Sequence, residues 1–249
     1  MSGHSKWATI KRKKAATDQA RGKMFSKYIK EITIAARHGG GDAETNPRLR
    51  TAISTAKSLN MPANNIERAI KRGTGDVEGA TYEETQYEGY GPGGVALLVE
   101  VATDNRNRTA GDVRHIFTKH GGSLGEAGSV SYLFKPRGLI VIQKSAVTED
   151  ALMELALDAG ADDVHSDGES HEVLTPPSAF EAVKDALAKH GVSTVSAEQT
   201  RIASLQVPVS EKEAEAILRL VDALEDHDDV QKVYANFIVP DEVMERLAR

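Results

Sequence analysis

The chain has 249 residues, of which 40% are hydrophobic and 27% are charged, and it contains no cysteine. This composition is typical of a soluble globular protein of two or three domains, and it excludes disulfides and thiolate metal sites. Residues 1–74 carry 16 Lys and Arg against 5 Asp and Glu, a net charge of +11, whereas residues 75–249 carry 15 against 32, a net charge of −17. A basic head on an acidic body predicts a polyanion partner such as nucleic acid; the alternative is a solvated basic helical face that docks on the acidic body.

The first dozen or so residues lack an apolar stripe and are predicted to be a mobile basic arm. No apolar segment of a secretory signal follows the first charges, and no stretch reaches the roughly 20 apolar residues of a membrane span. We therefore expect a cytoplasmic protein without a membrane segment. Trp7, the only tryptophan, lies between Lys6 and the cluster Lys11–Lys14. It either stacks on an unpaired base while its neighbours hold phosphates, or it pins the arm on the helices that follow.

Three amphipathic helices are predicted after the arm. Apolar residues recur at three- and four-residue spacing from Met24 to Ala36, until a run of glycines ends the pattern. Asn46, which precedes a proline, predicts the N-cap of a second helix. Pro62 begins a third helix, with Gly73 just past its end. Residues 1–80 are therefore predicted to form a basic helical domain.

The next segment predicts a β-α-β unit. A glycine-rich loop at Gly89–Gly94 precedes the apolar run Val95–Val101, which is typical of a buried strand. Thr109 with Asp112 three residues later predicts a capping box that opens a helix. A second strand is expected at Val130–Phe134.

Residues 135–205 predict the order β-α-β-β-α-β, which is the ferredoxin-like motif, with Ser178 opening its second helix. Residues 206–249 add one helix, capped by Ser210, and one strand. Because a lone αβ pair cannot bury its own apolar face, we assign it to residues 81–134 as a discontinuous α+β domain. The predicted fold class is α+β: an N-terminal three-helix basic domain followed by two ferredoxin-like α+β domains, one inserted into the other. A linear order of four separate pieces is the alternative.

No pattern of catalytic or cofactor-binding residues stands out. The eight His residues show no zinc spacing, and no nucleophile elbow is present. The glycines at Gly89–Gly94 precede their strand, where those of a phosphate loop would follow one. We expect no enzyme activity, no metal, no cofactor and no small-molecule substrate.

The turn Asp104–Thr109 is a second candidate binding segment beside the basic head. It places two Arg and two Asn at a helix N-terminus, where free N–H groups favour a phosphate or RNA; the alternative is a polar turn whose arginines pair with the acidic body. The predicted nucleic-acid-binding residues are Lys6, Trp7, Lys11, Arg12, Lys13, Lys14, Arg21, Lys23, Arg68, Lys71, Arg72, Asn105, Arg106, Asn107 and Arg108.

Six co-linear motifs resemble the YebC/PmpR family, and together they cover essentially the whole chain. They are Gly3–Trp7, Gly39–Asp42, Asn46–Leu49, Tyr87–Gly94, Asp104–Thr109 and Gly128–Val130. The resemblance implies a helical N-terminal domain followed by two α+β domains. That family is described as probable transcriptional regulators that bind DNA. Its mitochondrial relatives act as translational activators, and bacterial members are implicated as ribosome-associated factors that help synthesis through proline-rich stretches.

The sequence predicts a non-enzymatic, nucleic-acid-binding regulator of gene expression, and two levels of action stay open. A DNA-binding transcription regulator is favoured by the short connection between the second and third helices, as in a helix-turn-helix, although that turn lacks a glycine. A ribosome-associated RNA-binding translation factor, with ribosomal proteins as further partners, is favoured by the arm, its tryptophan and the Arg-Asn turn.

Overall fold

The computed structural model describes residues 18–167 and 170–240, together with residues 243 and 246. These residues form two compact units: Tyr132–Leu205 make up the first, and the described residues before and after them make up the second. Within the described part of the chain, no helix has both the length and the apolar character that a membrane span requires.

The described elements alternate as expected for an α+β protein. In chain order the helices are α1 (Asp18–Gly39), α2 (Pro47–Ser58), α3 (Ala63–Thr74), α4 (Arg106–Lys119), α5 (Glu149–Asp158), α6 (Phe180–Lys189) and α7 (Glu211–Glu225). The strands are β1 (Glu83–Tyr90), β2 (Ala96–Thr103), β3 (Ser123–Leu124), β4 (Phe134–Gln143), β5 (Asp163–Asp167), β6 (Ser170–Thr175), β7 (Thr194–Ala203), β8 (Val207–Pro208), β9 (Val230–Ala235) and β10 (Phe237–Ile238). The predicted fold class is confirmed, while the exact domain boundaries stay predictions.

Helices α1, α2 and α3 share one apolar core, and a buried asparagine joins two of them. The side chain of Asn46 accepts a hydrogen bond from the N–H of Leu49 at 3.1 Å, which confirms the predicted N-cap of α2. Its amide nitrogen donates to the carbonyl oxygens of Ala35 at 2.8 Å and Gly40 at 2.9 Å. One side chain therefore links a carbonyl near the end of α1 and the carbonyl just past its end to one N–H group in the first turn of α2.

The prediction that Gly73 lies past the end of the third helix is wrong. Gly73 lies inside α3, where an added Cβ would be 2.4 Å from the carbonyl oxygen of Thr33 in α1. The helix ends at Thr74, and Gly75 follows it in the left-handed conformation, with φ of 87°. Gly73 is required for the close crossing of α3 and α1, and Gly75 provides the helix stop.

The second unit continues in a four-stranded antiparallel sheet with the order β3-β1-β2-β9. Helices α4 and α7 pack on one face of this sheet, in a core that includes Val99 of β2 and the fully buried Phe117 of α4. Strand β1 pairs with β2 along its whole length and was missed in the sequence. Its residues are mostly polar and only Glu88 and Gly89 are fully buried, so it lacks the apolar alternation that marks a strand.

Two further predictions in this unit are wrong. The strand expected at Val130–Phe134 is absent over Val130–Leu133, where a short 3₁₀ segment at Ser131–Leu133 leads into β4, which begins at Phe134. The helix predicted to open at Thr109 begins at Arg106, and its N-cap is Asn105. Thr109 is instead buried inside α4.

The unit Tyr132–Leu205 has the predicted β-α-β-β-α-β order, from β4 through α5, β5, β6 and α6 to β7. Its antiparallel sheet has the order β5-β6-β4-β7, and its core contains Ile140, Leu152 and Phe180. Its second helix begins at Phe180 after Ala179 as the N-cap, so the predicted cap at Ser178 is wrong. By contrast, the predicted cap at Ser210 is confirmed as a capping box, in which the Ser210 N–H donates a hydrogen bond to the Glu213 carboxylate at 2.8 Å.

The two sheets share one layout with different chain orders. Strands β7-β4-β6-β5 of one sheet correspond to β9-β2-β1-β3 of the other, and β4-α5-β5 corresponds to β2-α4-β3. The position that β6 fills is taken by β1, which precedes β2 in the chain instead of following β3. The sheet of the second unit, with α4 and α7, is therefore a ferredoxin-like arrangement with one strand supplied from upstream, and the chain leaves it after β3 to form the inserted unit.

Two of the family-like motifs meet at a buried carboxylate. The Glu88 side chain is 3% exposed and accepts hydrogen bonds from the N–H groups of Gly128 at 2.8 Å, Val130 at 2.7 Å and Ser131 at 2.7 Å. Burial alone would raise the pKa of Glu88. The hydrogen bonds from these three donors outweigh burial, so the pKa is lowered below its ordinary value. The carboxylate thus holds the loop that precedes the inserted unit.

Candidate nucleic-acid interface

The predicted binding residues fall into four groups, one outside the described residues and three within them. Trp7 and the N-terminal cations lie outside the described residues, as does the side chain of Arg21, so binding by the arm stays a prediction. These N-terminal cations are Lys6, Lys11, Arg12, Lys13 and Lys14. The remaining candidates lie on α1, on α3 and on the turn into α4.

The first described surface is the α3 basic face, formed by Arg68, Lys71 and Arg72. Ile66 and Ala69 of α3 are buried in the helical core, and residues 68, 71 and 72 therefore lie on the other side of the helix. Arg68 and Lys71 are exposed and Arg72 is half-buried. Within the described part of the chain, no carboxylate forms an ion pair with any of the three. Their charges are thus available to an external anion.

The second surface is the Arg-Asn turn, and its first asparagine has a structural role. The Asn105 side chain accepts from the N–H of Arg108 at 3.1 Å, and the Asn105 N–H donates to the hydroxyl of Thr103 at 2.9 Å. The helix N-terminus that was expected to bind a phosphate is therefore partly satisfied by its own cap.

Arg108 is held by two aspartates. Its guanidinium donates to Asp229 at 2.8 Å and to Asp104 at 2.9 Å. These partners, Asp229 first, raise the pKa of Arg108 above its ordinary value. The contacts favour the alternative in which this arginine pairs with the acidic body, and nucleic-acid binding by Arg108 stays a prediction.

Arg106 and Asn107 remain on the surface of the turn. Both are exposed, and among the described residues the Arg106 guanidinium has one weak hydrogen bond, to the hydroxyl of Thr85 at 3.4 Å. The carbonyl oxygen of Arg106 accepts from the Tyr87 hydroxyl at 3.2 Å, which fixes the backbone and leaves the side chain in solvent. Of the two arginines in the turn, Arg106 is the one placed to reach a phosphate.

A buried ionic network that sequence analysis missed lies beneath this turn. The Asp229 carboxylate is 5% exposed and accepts from Lys30 of α1 at 2.6 Å and from Thr109 at 2.7 Å, besides Arg108. Burial acts to raise the pKa of Asp229, but the hydrogen bonds from Lys30, Arg108 and Thr109 outweigh it and hold this pKa far below its ordinary value. Lys30, itself 8% exposed, also donates to the carbonyl oxygen of Asp228 at 2.9 Å. The network joins α1 to the sheet of the same unit.

One face of α1 is neutralised in this way. Lys23 pairs with Asp226 at 3.1 Å, and Lys27 donates to the carbonyl oxygen of Glu225 at 2.7 Å. An open groove of about 780 Å³ runs beside these contacts. Its charged lining comprises the cations Lys23, Lys30 and Arg108 and the acids Asp104, Asp226, Asp228 and Asp229. Since acids outnumber cations there, this groove is a poor phosphate site. This face of α1 therefore agrees with the alternative drawn from the charge distribution, a basic helical face that docks on the acidic body.

A second ion-pair cluster joins the helices to β1. The Arg48 guanidinium donates to Glu31 of α1 at 2.8 Å and to Glu84 of β1 at 2.6 Å. Both carboxylates raise the pKa of Arg48 above its ordinary value, and the arginine lowers that of Glu84. Of the candidate cations with described side chains, the α3 basic face and Arg106 are left without an ion pair among the described residues.

Comparison with known proteins places the chain in a family. A model described as the TACO1/YebC protein N-terminal domain matches residues 5–76, and one described as the TACO1/YebC second and third domain matches residues 82–237. The chain belongs to the TACO1/YebC family. The resemblance drawn from the six motifs is thereby confirmed.

TACO1/YebC relatives match along the full length. A protein from Dictyoglomus turgidum is 56% identical over 249 residues, covering 100% of both chains, and one from Geobacter sp. (strain M21) is 59% identical over 247 residues, covering 99% of this chain and 100% of the relative. Each carries the name "probable transcriptional regulatory protein". The crystal structure of a conserved hypothetical protein from Aquifex aeolicus is 51% identical, has a TM-score of 0.81, and covers 90% of this chain and 93% of its own.

Proposed function

We propose that this TACO1/YebC protein is a non-enzymatic regulator of gene expression that binds nucleic acid through the α3 basic face and the N-terminal arm. The observation that carries the proposal is which basic residues are paired with acidic groups and which are not. Lysines on one face of α1 are occupied by the acidic segment Glu225–Asp229, whereas Arg68, Lys71 and Arg72 have no ion pair within the described residues. Unpaired, clustered cations gain most from contact with phosphates.

Two observations support the DNA-binding form of this proposal. Four residues connect α2 to α3, as in a helix-turn-helix, and Asn60 among them adopts the left-handed conformation with φ of 61°. An asparagine thus supplies the conformation that a glycine often supplies in that turn, which removes the objection raised from the sequence. The names of the relatives point the same way.

The alternative is a ribosome-associated RNA-binding translation factor that relieves stalling at proline-rich stretches, with ribosomal proteins as further partners. The exposed Arg106 favours it, because it adds a second cationic point on a surface formed by a loop, and RNA is recognised largely by shape and single-stranded segments. The two forms differ in whether the protein meets paired or unpaired bases.

A charge-matched comparison tests the shared part of the proposal. Replacing Arg68, Lys71 and Arg72 together by alanine removes three positive charges from α3; replacing Lys119, Lys144 and Lys189, all exposed elsewhere, removes three from other surfaces. Affinity for duplex DNA and for single-stranded RNA is measured across a salt series. We expect only the α3 variant to flatten the dependence of log affinity on log salt, by up to about 2.7 in slope on duplex DNA or about 2.1 on single strands. Equal slopes in both variants would refute α3 as the interface.

The level of action is tested by fractionation at low salt. The full-length protein and its α3 variant are expressed in cells, and the fractions containing chromosomal DNA and ribosomal particles are probed for each. Recovery of the wild type with DNA, lost in the variant, supports the transcriptional form. Recovery almost entirely with ribosomes, lost in the variant, supports the translational form and retires promoter binding as the main role.

A further inference from the structure

A small pocket opens between α1 and α3, beside the α3 basic face. Its volume is about 190 Å³, and it is lined by Ile29, Asn65, Arg68, Ala69 and Arg72. The lining is divided by chemistry: Ile29 and Ala69 provide an apolar floor, two guanidinium groups provide positive charge, and Asn65 provides one amide with both a donor and an acceptor. This combination differs from the open groove beside α1, where carboxylates predominate.

Arg72 is held at the edge of this pocket by the chain that follows α3. Gly79 lies against the Arg72 side chain so closely that an added Cβ would be 2.4 Å from Nε and 2.7 Å from Cδ. The Nε atom is buried and has no hydrogen-bond partner among the described residues. Since Nε is covered by the chain itself, only the terminal nitrogens of this guanidinium are candidates to meet a partner outside the chain.

The chemistry of the lining identifies the partner. A phosphate alone would use the two guanidinium groups but would gain nothing from an apolar floor. A planar nucleobase uses all three features: it packs on the apolar floor or on a guanidinium plane, it presents an edge to the Asn65 amide, and its flanking phosphates reach the cations. A base within a duplex is stacked between its neighbours and cannot enter a pocket of this size without leaving the stack.

We propose that the pocket between α1 and α3 holds one unstacked base of a single-stranded nucleic acid, with Asn65 contacting its edge and Arg68 and Arg72 holding the adjoining backbone. The inference rests on the proposed function, because it assumes that α3 faces nucleic acid. It adds a ligand class: strands with unpaired nucleotides, whether RNA or single-stranded DNA.

The test uses the full-length protein with two single strands of equal length and charge, one with bases and one built from abasic sites, each made in RNA and in DNA, and a duplex of the same length. Wild-type protein is expected to bind the strand with bases more tightly than the abasic strand by about five-fold or more. Asn65→Ala removes the edge contact, and Gly79→Ala displaces Arg72 without changing charge. Asn65→Ala should bring that ratio towards one while weakly affecting the abasic strand, whereas Gly79→Ala, which moves a guanidinium that holds the backbone, should weaken both strands.

Two substitutions serve as matched controls. Asn64→Ala removes an exposed amide from the neighbouring position of α3, outside the pocket lining, and Gly111→Ala adds a methyl group where no atom lies within 4 Å. Both should keep the wild-type ratio, and thermal unfolding of all four variants verifies that they are folded. A preference for RNA or for DNA strands then identifies the source of the base.

The outcomes separate this inference from the proposal on which it rests. If the strand with bases and the abasic strand bind equally, or if Asn65→Ala leaves the ratio unchanged, the pocket is not a base site, although α3 still binds phosphates; if Gly79→Ala weakens neither strand, Arg72 does not hold the backbone. Tighter binding to the duplex than to either single strand also overturns the inference and leaves the DNA-binding form standing. If none of the nucleic acids binds, the proposed function fails as well.

Discussion

The ion pair between Lys30 and Asp229 is expected to be a principal support of the contact between α1 and the sheet. Asp229→Asn removes the negative charge but keeps the shape, and it leaves the Lys30 ammonium, 8% exposed, without its counter-charge. Loss of one partner of a buried pair costs about 3 to 5 kcal/mol. For a unit of this size that corresponds to a decrease in Tm of about 6 to 20 °C, measured by thermal unfolding followed by circular dichroism.

The exposed pair on the same helix provides the control. Lys23 and Asp226 are separated by 3.1 Å with side chains 37% and 68% exposed, so Asp226→Asn should cost less than about 1 kcal/mol. Adding Lys30→Met to Asp229→Asn removes the stranded charge and should recover part of the loss. If Asp229→Asn is no more destabilising than Asp226→Asn, or if the double variant recovers nothing, the buried pair is not what joins α1 to the sheet.

Three further predictions concern the same unit. The pKa values of Asp229 and Glu88 are lowered by folding, so their contribution to stability is present above the pKa of the unfolded carboxyl, near 4, and is lost as the pH falls through the folded-state value; acid titration of Tm should therefore be flatter for Asp229→Asn than for the wild type. Arg108→Ala should lower Tm because it removes the guanidinium that Asp229 and Asp104 share, although Asp229 keeps Lys30, whereas Arg106→Ala should leave Tm nearly unchanged and weaken RNA binding; the reverse pattern would contradict the roles assigned from their contacts. Glu88→Gln weakens three charge-assisted hydrogen bonds and should cost about 1.5 to 3 kcal/mol in urea unfolding, and a neutral result would show that its backbone donors are satisfied without it.

Elements with strong local signals were predictable from the sequence. Asn46 before a proline, and Ser210 three residues before a glutamate, each specify a helix start through contacts within four residues, and both caps are present. The β-α-β-β-α-β order of the inserted unit was readable because its apolar runs and helical stripes are regular. These features are determined by residues close together in the sequence, and residue spacing reports such local contacts.

The errors share a different cause. Thr109 has the appearance of an N-cap, yet its hydroxyl donates to Asp229, a residue 120 positions away that no local pattern connects to it. Gly73 has the appearance of a helix stop, yet it is required where α3 crosses Thr33 of α1. In both cases a tertiary contact gives a local signal another use. Strand β1 was missed for a related reason, since its pairing with β2 compensates for a polar sequence.

The positive charge of the candidate site was predictable from the sequence, but the particular residues that remain available to a ligand were not. Counting charges located an excess of cations in residues 1–74, but it could not show which of them meet carboxylates in the fold. The pairing of Lys23 with Asp226 spans 203 positions, and Arg108 pairs with both the nearby Asp104 and the distant Asp229. Long-range pairing therefore decides which cations remain for a ligand, and the pocket beside Arg72 could not be anticipated from any spacing.

The motifs behind the family resemblance also divide by role, and this affects how function is argued from them. Tyr87–Gly94 and Gly128–Val130 meet at the Glu88 carboxylate, and Asn105 and Arg108 serve as a helix cap and an ion-pair partner. Residues with such contacts are needed for the fold whatever the protein binds, so their presence supports family membership more directly than it supports a ligand. The cations of the α3 basic face form no ion pair within the described residues, and surface charges of this kind contribute little to stability. A side chain that the fold does not use is the better indicator of function, and for this reason the assignment of nucleic-acid binding depends on Arg68, Lys71 and Arg72 rather than on the motifs that identify the family.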